Sequence, residues 1–349
     1  MNIDYIIVGL GLAGIAFAEE LRKRNKSFVV FEDGSQNSSL VAGGMYNPVI
    51  LKRFTPVWNA DEQLAIALPF YQEIEKRLGN KYDYKVPIYR VFKSVEEQNN
   101  WFAACDEFLL QNYMISKIIK NENQFIKAPF HMGKLVQTGR VDVNKLARNY
   151  REDLVQRNLL KKEQFNYESI HFEEKTICYK EFQAKKIVFC EGFGLKENPF
   201  FNYLPMQEAK GELLTIHAPD LKLDGLLKAA VFVLPIGDDL YKVGATFNWV
   251  DKTKEPTLKG KEELIQKLET VINCEYTVID HVAGIRPTTK DRRPFIGVHP
   301  EKKQLAILNG LGTRGVMIAP ISANKLANHL ENGIPLDKEI SIERYALSF

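Results

Sequence analysis

IDYIIVGLGLAGIAFAEELRKRNKSFVVFE, residues 3 to 32, is the stretch that decides the fold. Ile3 to Val8 is almost continuously apolar, as strands covered on both faces of a parallel sheet are. Ile15 to Lys26 has helical spacing, with Ile15, Phe17, Ala18 and Leu21 on an inner face and Glu19, Glu20, Arg22 and Lys23 expected to face water. Phe28 to Phe31 is a second buried strand, which completes a βαβ unit. Between strand and helix, Gly9-Leu10-Gly11-Leu12-Ala13-Gly14 fits the spacing G-x-G-x-x-G. Gly9 permits the tight turn, Gly11 lets backbone amides approach a pyrophosphate, and Gly14 lets the helix pack on the strand. Unpaired amides at the helix start, with Leu12 and Ala13 among them, stabilise a diphosphate. Glu32 ends the second strand, where a carboxylate accepts the ribose hydroxyls and repels a 2′-phosphate. The expected ligand is FAD or NAD, not NADP.

The chain has 349 residues, more than the roughly 250 to 300 at which single cores stop growing, so two domains are expected. Hydrophobic residues at 45% and charged residues at 26% exclude a disordered chain. Its 47 Lys plus Arg against 44 Asp plus Glu leave a net charge of +3, too small to imply a nucleic-acid partner. The cysteines Cys105, Cys178, Cys190 and Cys274 show no C-x-x-C spacing, and the six histidines no i, i+4 pair, so no metal site is expected. The apolar run from Tyr5 to Ala18 follows Asp4 rather than a basic segment, and no uncharged run reaches the ~18 residues of a membrane span. A soluble cytoplasmic protein without membrane attachment is expected.

Further along, Val86 to Phe92 and Val231 to Ala245 read as mixed or antiparallel strands, with Pro235, Gly237 and Asp238-Asp239 marking a hairpin turn. Residues 60 to 79 and 259 to 272 read as amphipathic helices. Lys186 to Cys190, ending at Glu191-Gly192, and Leu305 to Leu308, ending at Asn309-Gly310, read as returns to the first sheet. One domain is therefore expected to be assembled from separated stretches.

Later segments repeat a familiar order. Ala42-Gly43-Gly44-Met45 follows the acid-terminated strand; Lys210 to Leu214 and Gly244-Ala245-Thr246 come next. Gly284-Ile285-Arg286-Pro287 is followed by Asp291, Pro294 and Gly297, and Gly310-Leu311-Gly312-Thr313-Arg314-Gly315 leads through Val316 to Ala319-Pro320. In this order the chain resembles the D-amino acid oxidase family over nearly its whole length. That family includes glycine oxidase, sarcosine oxidase and the oxidase half of the bifunctional tRNA wobble-uridine modification enzyme. The resemblance implies an α/β (α+β) fold with a Rossmann-like FAD-binding domain (residues 1–80, 140–205 and 280–349) and a second, mixed-sheet substrate domain (81–139 and 206–279). It implies that Ala42 to Met45, Cys190, Gly192, Gly284, Gly310 and Gly312 to Val316 join the glycine motif around FAD.

The resemblance also implies a chemistry, in which a hydride leaves the carbon beside an amine and the resulting imine is hydrolysed. The cofactor carries the reaction and the protein supplies placement. Arg286 is the candidate carboxylate anchor, through two parallel hydrogen bonds, and Arg314 is a second arginine near the substrate. For each, the alternative is an interdomain ion pair. One departure stands out: glycine oxidase-like members carry a tyrosine where this chain has Phe232. Lys228, Tyr46 and Arg53 are the candidates to replace its hydroxyl. No cysteine follows Cys274, so noncovalent FAD is expected. A small-molecule amine is the favoured substrate. An oxidoreductase acting on tRNA is the second reading, disfavoured by the near-neutral charge, and a non-catalytic flavin-binding module is the third.

Overall fold

The computed structural model describes residues 1–35 and 38–348. Its first element is the βαβ unit: β1 (Asn2–Val8), α1 (Leu12–Lys23) and β2 (Phe28–Phe31), with the two strands parallel. The helix starts three residues earlier than its apolar spacing suggests and ends at Lys23. Gly11 is its N-cap, so the glycine motif is itself the first turn. Only glycine suits two of these positions. Gly9 has φ of 93°, and a Cβ on Gly14 would lie 2.1 Å from the Gly9 carbonyl oxygen.

Glu19 and Glu20 do not face water, as α1 alone suggests; both are buried. The helices Gly315–Asn332 and Val143–Gln156 pack against α1, and helix Ala60–Leu78 reaches it through Glu73 and Arg77, which pair with Lys23 and Glu19. Ion pairs compensate the burial: Glu19 accepts from Arg22 at 2.8 Å and Arg77 at 2.6 Å, and Glu20 pairs with Arg24.

β1 lies at the centre of an eight-stranded sheet. Its five parallel strands run in the order Leu160–Lys161, β2, β1, Phe182–Phe189, Leu305–Asn309, so the two later runs do return to the first sheet. Because the chain leaves β1 for β2 on one side and supplies the other neighbour from residue 182 onward, a crevice opens at the carboxyl ends of β1 and Phe182–Phe189. An aromatic layer of Phe165, Tyr179, Phe182, Phe189 and Phe201 covers the face opposite α1.

A second sheet has seven strands, in the order Thr277–Thr289, Met206–His217, Leu240–Gly244, Phe232–Gly237, Leu226–Lys228, Ile88–Val91, Met132–Leu135. It is mixed, since Leu226–Lys228 pairs in parallel with Ile88–Val91 and the other pairs are antiparallel. The hairpin between Phe232–Gly237 and Leu240–Gly244 turns at Asp238 and Asp239, both at positive φ (53° and 55°), the backbone a two-residue turn of this hand needs. Strand Thr277–Thr289 belongs to this sheet throughout and so crosses the boundary expected at residue 280.

Strand register sorts the faces of the second sheet. Lys228, Phe232, Gly244, Leu213 and Val282 are successive cross-strand partners and share a face. One residue away, Leu227, Val233, Val243 and Leu214 point the other way, into a core closed by Leu264 and Leu268 of helix Leu258–Glu269. The first of these faces looks toward the crevice.

Candidate functional site

A cavity of about 660 Å³ lies between the two sheets, within the ~300 to 1,000 Å³ that small-molecule sites span. One wall is the carboxyl edge of the first sheet, with Gly9, Gly11, Leu12, Ala13, Glu32, Cys190, Gly192 and the turn from Gly312 to Val316. The other is the second sheet's exposed face, with Ile88, Leu226, Lys228, Phe232, Leu213, Gly211, Gly284 and Arg286. The segment Ala42 to Met45 lines the cavity between them. Of the residues expected at the cofactor, only Gly14 and Gly310 are not in the lining. Gly14 acts behind the wall, by letting α1 approach Gly9, and Gly310 forms the turn at positive φ that directs Gly312 to Val316 inward.

The cradle fits a dinucleotide. The N-cap of α1 is Gly11, which has no side chain to close the helix, so apart from the Leu12 amide the amide ends of its first turn are presented at the glycine loop. Ser39 Oγ accepts from the Leu12 amide at 3.2 Å. Glu32 is held in place: one oxygen accepts from the Leu10 amide at 2.6 Å and the other from Arg151 at 2.9 Å. Phe165 and Tyr167 add an aromatic wall beside Glu32 and Glu191. Sequence reasoning missed Phe165, Tyr167, Glu191 and Arg151; Phe165, Tyr167 and Arg151 come in on segments that lie far along the chain. Glu191 had a local signal, an acid directly after a buried strand. It is buried and its carboxyl is pushed up to about 7, chiefly by that burial. Tyr167 and Asn198 donate to it and oppose the shift, while Asp33 adds to it.

Charge is segregated along the cavity. Glu32, Asp33, Glu163, Glu191 and Glu197 line the glycine-loop end, whereas the second sheet's face carries Lys228 and Arg286 with no acid beside them among the described residues of the lining. Arg286 extends across Gly211 and donates to the carbonyls of Lys210 (3.3 Å) and Thr246 (3.2 Å), with its guanidinium 4.2 Å from the centre of the Phe247 ring. Burial lowers its pKa to about 10, which leaves it charged at neutral pH. Burial and the nearby Arg292 likewise lower the pKa of Arg314, at the start of helix Gly315–Asn332. Among the described residues neither arginine makes an ion pair; both terminal nitrogens of Arg286 donate to backbone carbonyls, so a ligand anion would take the N–H groups that these bonds leave over.

Of the three candidates to replace a tyrosine at Phe232, only Lys228 lines the cavity. Tyr46 is buried elsewhere, donating to Asp83 at 2.8 Å and accepting from Lys85 at 2.9 Å, because its short strand pairs with Gly139–Val141 behind the site. Arg53 is exposed and outside the lining. Among the described residues no group of three or more His, Cys, Asp or Glu is placed to hold a metal ion, and no helix is long and apolar enough to cross a membrane.

A βαβ cradle at a glycine loop, opening onto a facing sheet that carries cations, is the arrangement of a dinucleotide-binding protein built on two facing sheets. The chain belongs to the FAD dependent oxidoreductase (DAO) family, whose model matches residues 4–329. It is 22% identical over 379 aligned positions to glycine oxidase of Bacillus subtilis, covering 95% of this chain and 94% of that one. It is 22% identical to the tRNA 5-methylaminomethyl-2-thiouridine biosynthesis bifunctional protein MnmC of Marinobacter nauticus, over 93% of this chain but 55% of that protein, so it spans about half that relative's length. Glycine oxidase from Geobacillus kaustophilus has the same fold, with a TM-score of 0.77 at 19% identity over 99% of this chain and 98% of that one.

Proposed function

We propose that the chain oxidises an amine that also carries a carboxylate, an amino acid or an N-substituted glycine, with noncovalently held FAD. The observation that carries this reading is Arg286: a charged, half-buried guanidinium on the cavity wall, without an acid partner among the described residues, braced by two backbone carbonyls and an aromatic ring. Such a group is fixed in orientation before the ligand arrives, so it can grip a carboxylate with two parallel hydrogen bonds.

When bound, FAD supplies the acceptor for the two electrons of a C–H bond. The residues of this chain supply placement. Arg286 fixes the carboxylate, and with it the carbon that bears both C–H and nitrogen. Phe232, Leu226 and Ile88 form an apolar wall that limits water around that carbon. As the hydride leaves, the nitrogen lone pair forms C=N, its proton passes to solvent, and water then splits the imine into an amine and a carbonyl product. Noncovalent binding is supported by the cysteines: only Cys190 lines the cavity, at the glycine-loop end, where burial pushes its thiol up and keeps it a poor nucleophile.

FAD-loaded protein mixed without oxygen with glycine, sarcosine and longer N-substituted glycines is expected to lose its visible flavin absorbance with one or more of them and to release a carbonyl product. If the absorbance survives every amine in such a panel, amine oxidation is the wrong reaction. The likeness to MnmC supports a second reading, in which the amine is carried on tRNA. That reading requires tRNA binding that weakens steeply with salt, and a flat salt response rejects it.

A further inference from the structure

Lys228 stands out on the cavity face of the second sheet. Every register partner on that row is apolar or glycine except Arg90, which is occupied by Glu97. Lys228 makes no ion pair and no side-chain hydrogen bond among the described residues, and its ammonium lies 6.0 Å from the centre of the Phe232 ring. A half-buried ammonium facing an apolar cavity without an acid is costly unless an anion completes it. Arg286 already answers the one carboxylate of a simple amino acid, and among the described residues the same stretch of lining offers no acid to answer Lys228.

The sheet sets the distance between the two cations. The Arg286 guanidinium reaches over Gly211 to the Thr246 carbonyl, just beyond strand Leu240–Gly244, whereas Lys228 sits over Phe232 on the next strand. Gly211 lies two strands from Phe232–Gly237 and two residues along from the row of Leu213, Gly244 and Phe232, so two widths of ~4.8 Å and ~7 Å of strand rise place the charges roughly 10 to 15 Å from each other, a gap that a short dianion spans with a hydrogen bond at each end. From this geometry, and resting on the amine-oxidation reading above, we infer that the substrate is a dianion: an amine whose first carboxylate meets Arg286 and whose second anionic group, on a short chain past the nitrogen, meets Lys228. Lys228 is then the residue that sets specificity, and the ring of Phe232 packs against the linking methylenes where a hydroxyl would need a polar partner.

The test separates binding from turnover. Sulfide analogues, with S in place of N–H, cannot form the imine, so they report binding alone through their perturbation of the flavin spectrum. In the FAD-loaded protein, 4-(carboxymethylthio)butanoate is expected to bind about 10- to 100-fold more tightly than (butylthio)acetate, the effect of one charge-assisted contact. Lys228→Met should abolish that preference while leaving the affinity for (butylthio)acetate unchanged, and Lys228→Arg should restore most of it. Equal binding of the two sulfides by the unaltered protein, or an equal loss for both in Lys228→Met, overturns the inference. Failure of the corresponding amines to bleach the flavin while the sulfide preference persists overturns amine oxidation instead.

Discussion

Glu191 shows how much a single buried side chain can impose. Its carboxyl titrates at about 7 rather than near the ordinary 4.5, because burial next to Asp33 outweighs the hydrogen bonds from Tyr167 and Asn198. A carboxyl whose pKa is higher in the folded state binds more protons there than when unfolded. Between about 4.5 and 7 the fold therefore loses stability as pH rises, and above 7 the loss is complete. Glu191→Gln has the same shape and no charge. It is expected to remove a fall on the order of 2 to 3 kcal/mol, so that the midpoint of thermal unfolding of the apoprotein changes less between pH 5 and pH 8 than in the parent. Parallel pH profiles for the two proteins would show that Glu191 ionises freely. Lys228 has the opposite sign. Burial and the cations Arg90, Lys267 and Lys93 bring it to about 8, so its positive charge, and any anion preference built on it, fades as pH rises through that value.

At the scale of elements, Gly211 links strand packing to ligand placement. A Cβ there would fall 1.9 Å from the Arg286 guanidinium, which is why strand Met206–His217 carries a glycine directly under the arginine of its neighbour. Gly211→Ala would push the Arg286 guanidinium off its two carbonyls rather than move the backbone. The expected outcome is unchanged FAD binding with a carboxylate affinity weakened on the order of 10- to 100-fold, as for other misplaced positioning groups. An unchanged affinity would place the carboxylate elsewhere. Elements whose signal is local were legible in the sequence: β1, β2, the hairpin at Asp238-Asp239, and the returns at Lys186 and Leu305. The exposure of Glu19 and Glu20 was misread because the helices that bury them come from residues 60–78, 143–156 and 315–332, which α1 alone does not announce. Tyr46 failed as a candidate for the same reason: only its pairing with residue 139 shows that it lies behind the site.

Across the whole molecule, a net charge of +3 conceals a polarised cavity, acidic at the glycine loop and cationic on the facing sheet. Composition cannot reveal this, because it arises only when two sheets from interleaved stretches of chain face each other. Spacing and family likeness brought the cradle and both arginines into view. The position of Lys228 opposite Phe232 depends on strand register, which turn geometry and packing set over long range. The measurement that bears most directly on the account is the anaerobic reduction of FAD-loaded protein by an N-substituted glycine, compared with Arg286→Ala. The variant is expected to keep its FAD but to need on the order of 10- to 100-fold more amine for half-maximal reduction. Reduction of both proteins at the same amine concentration would contradict it.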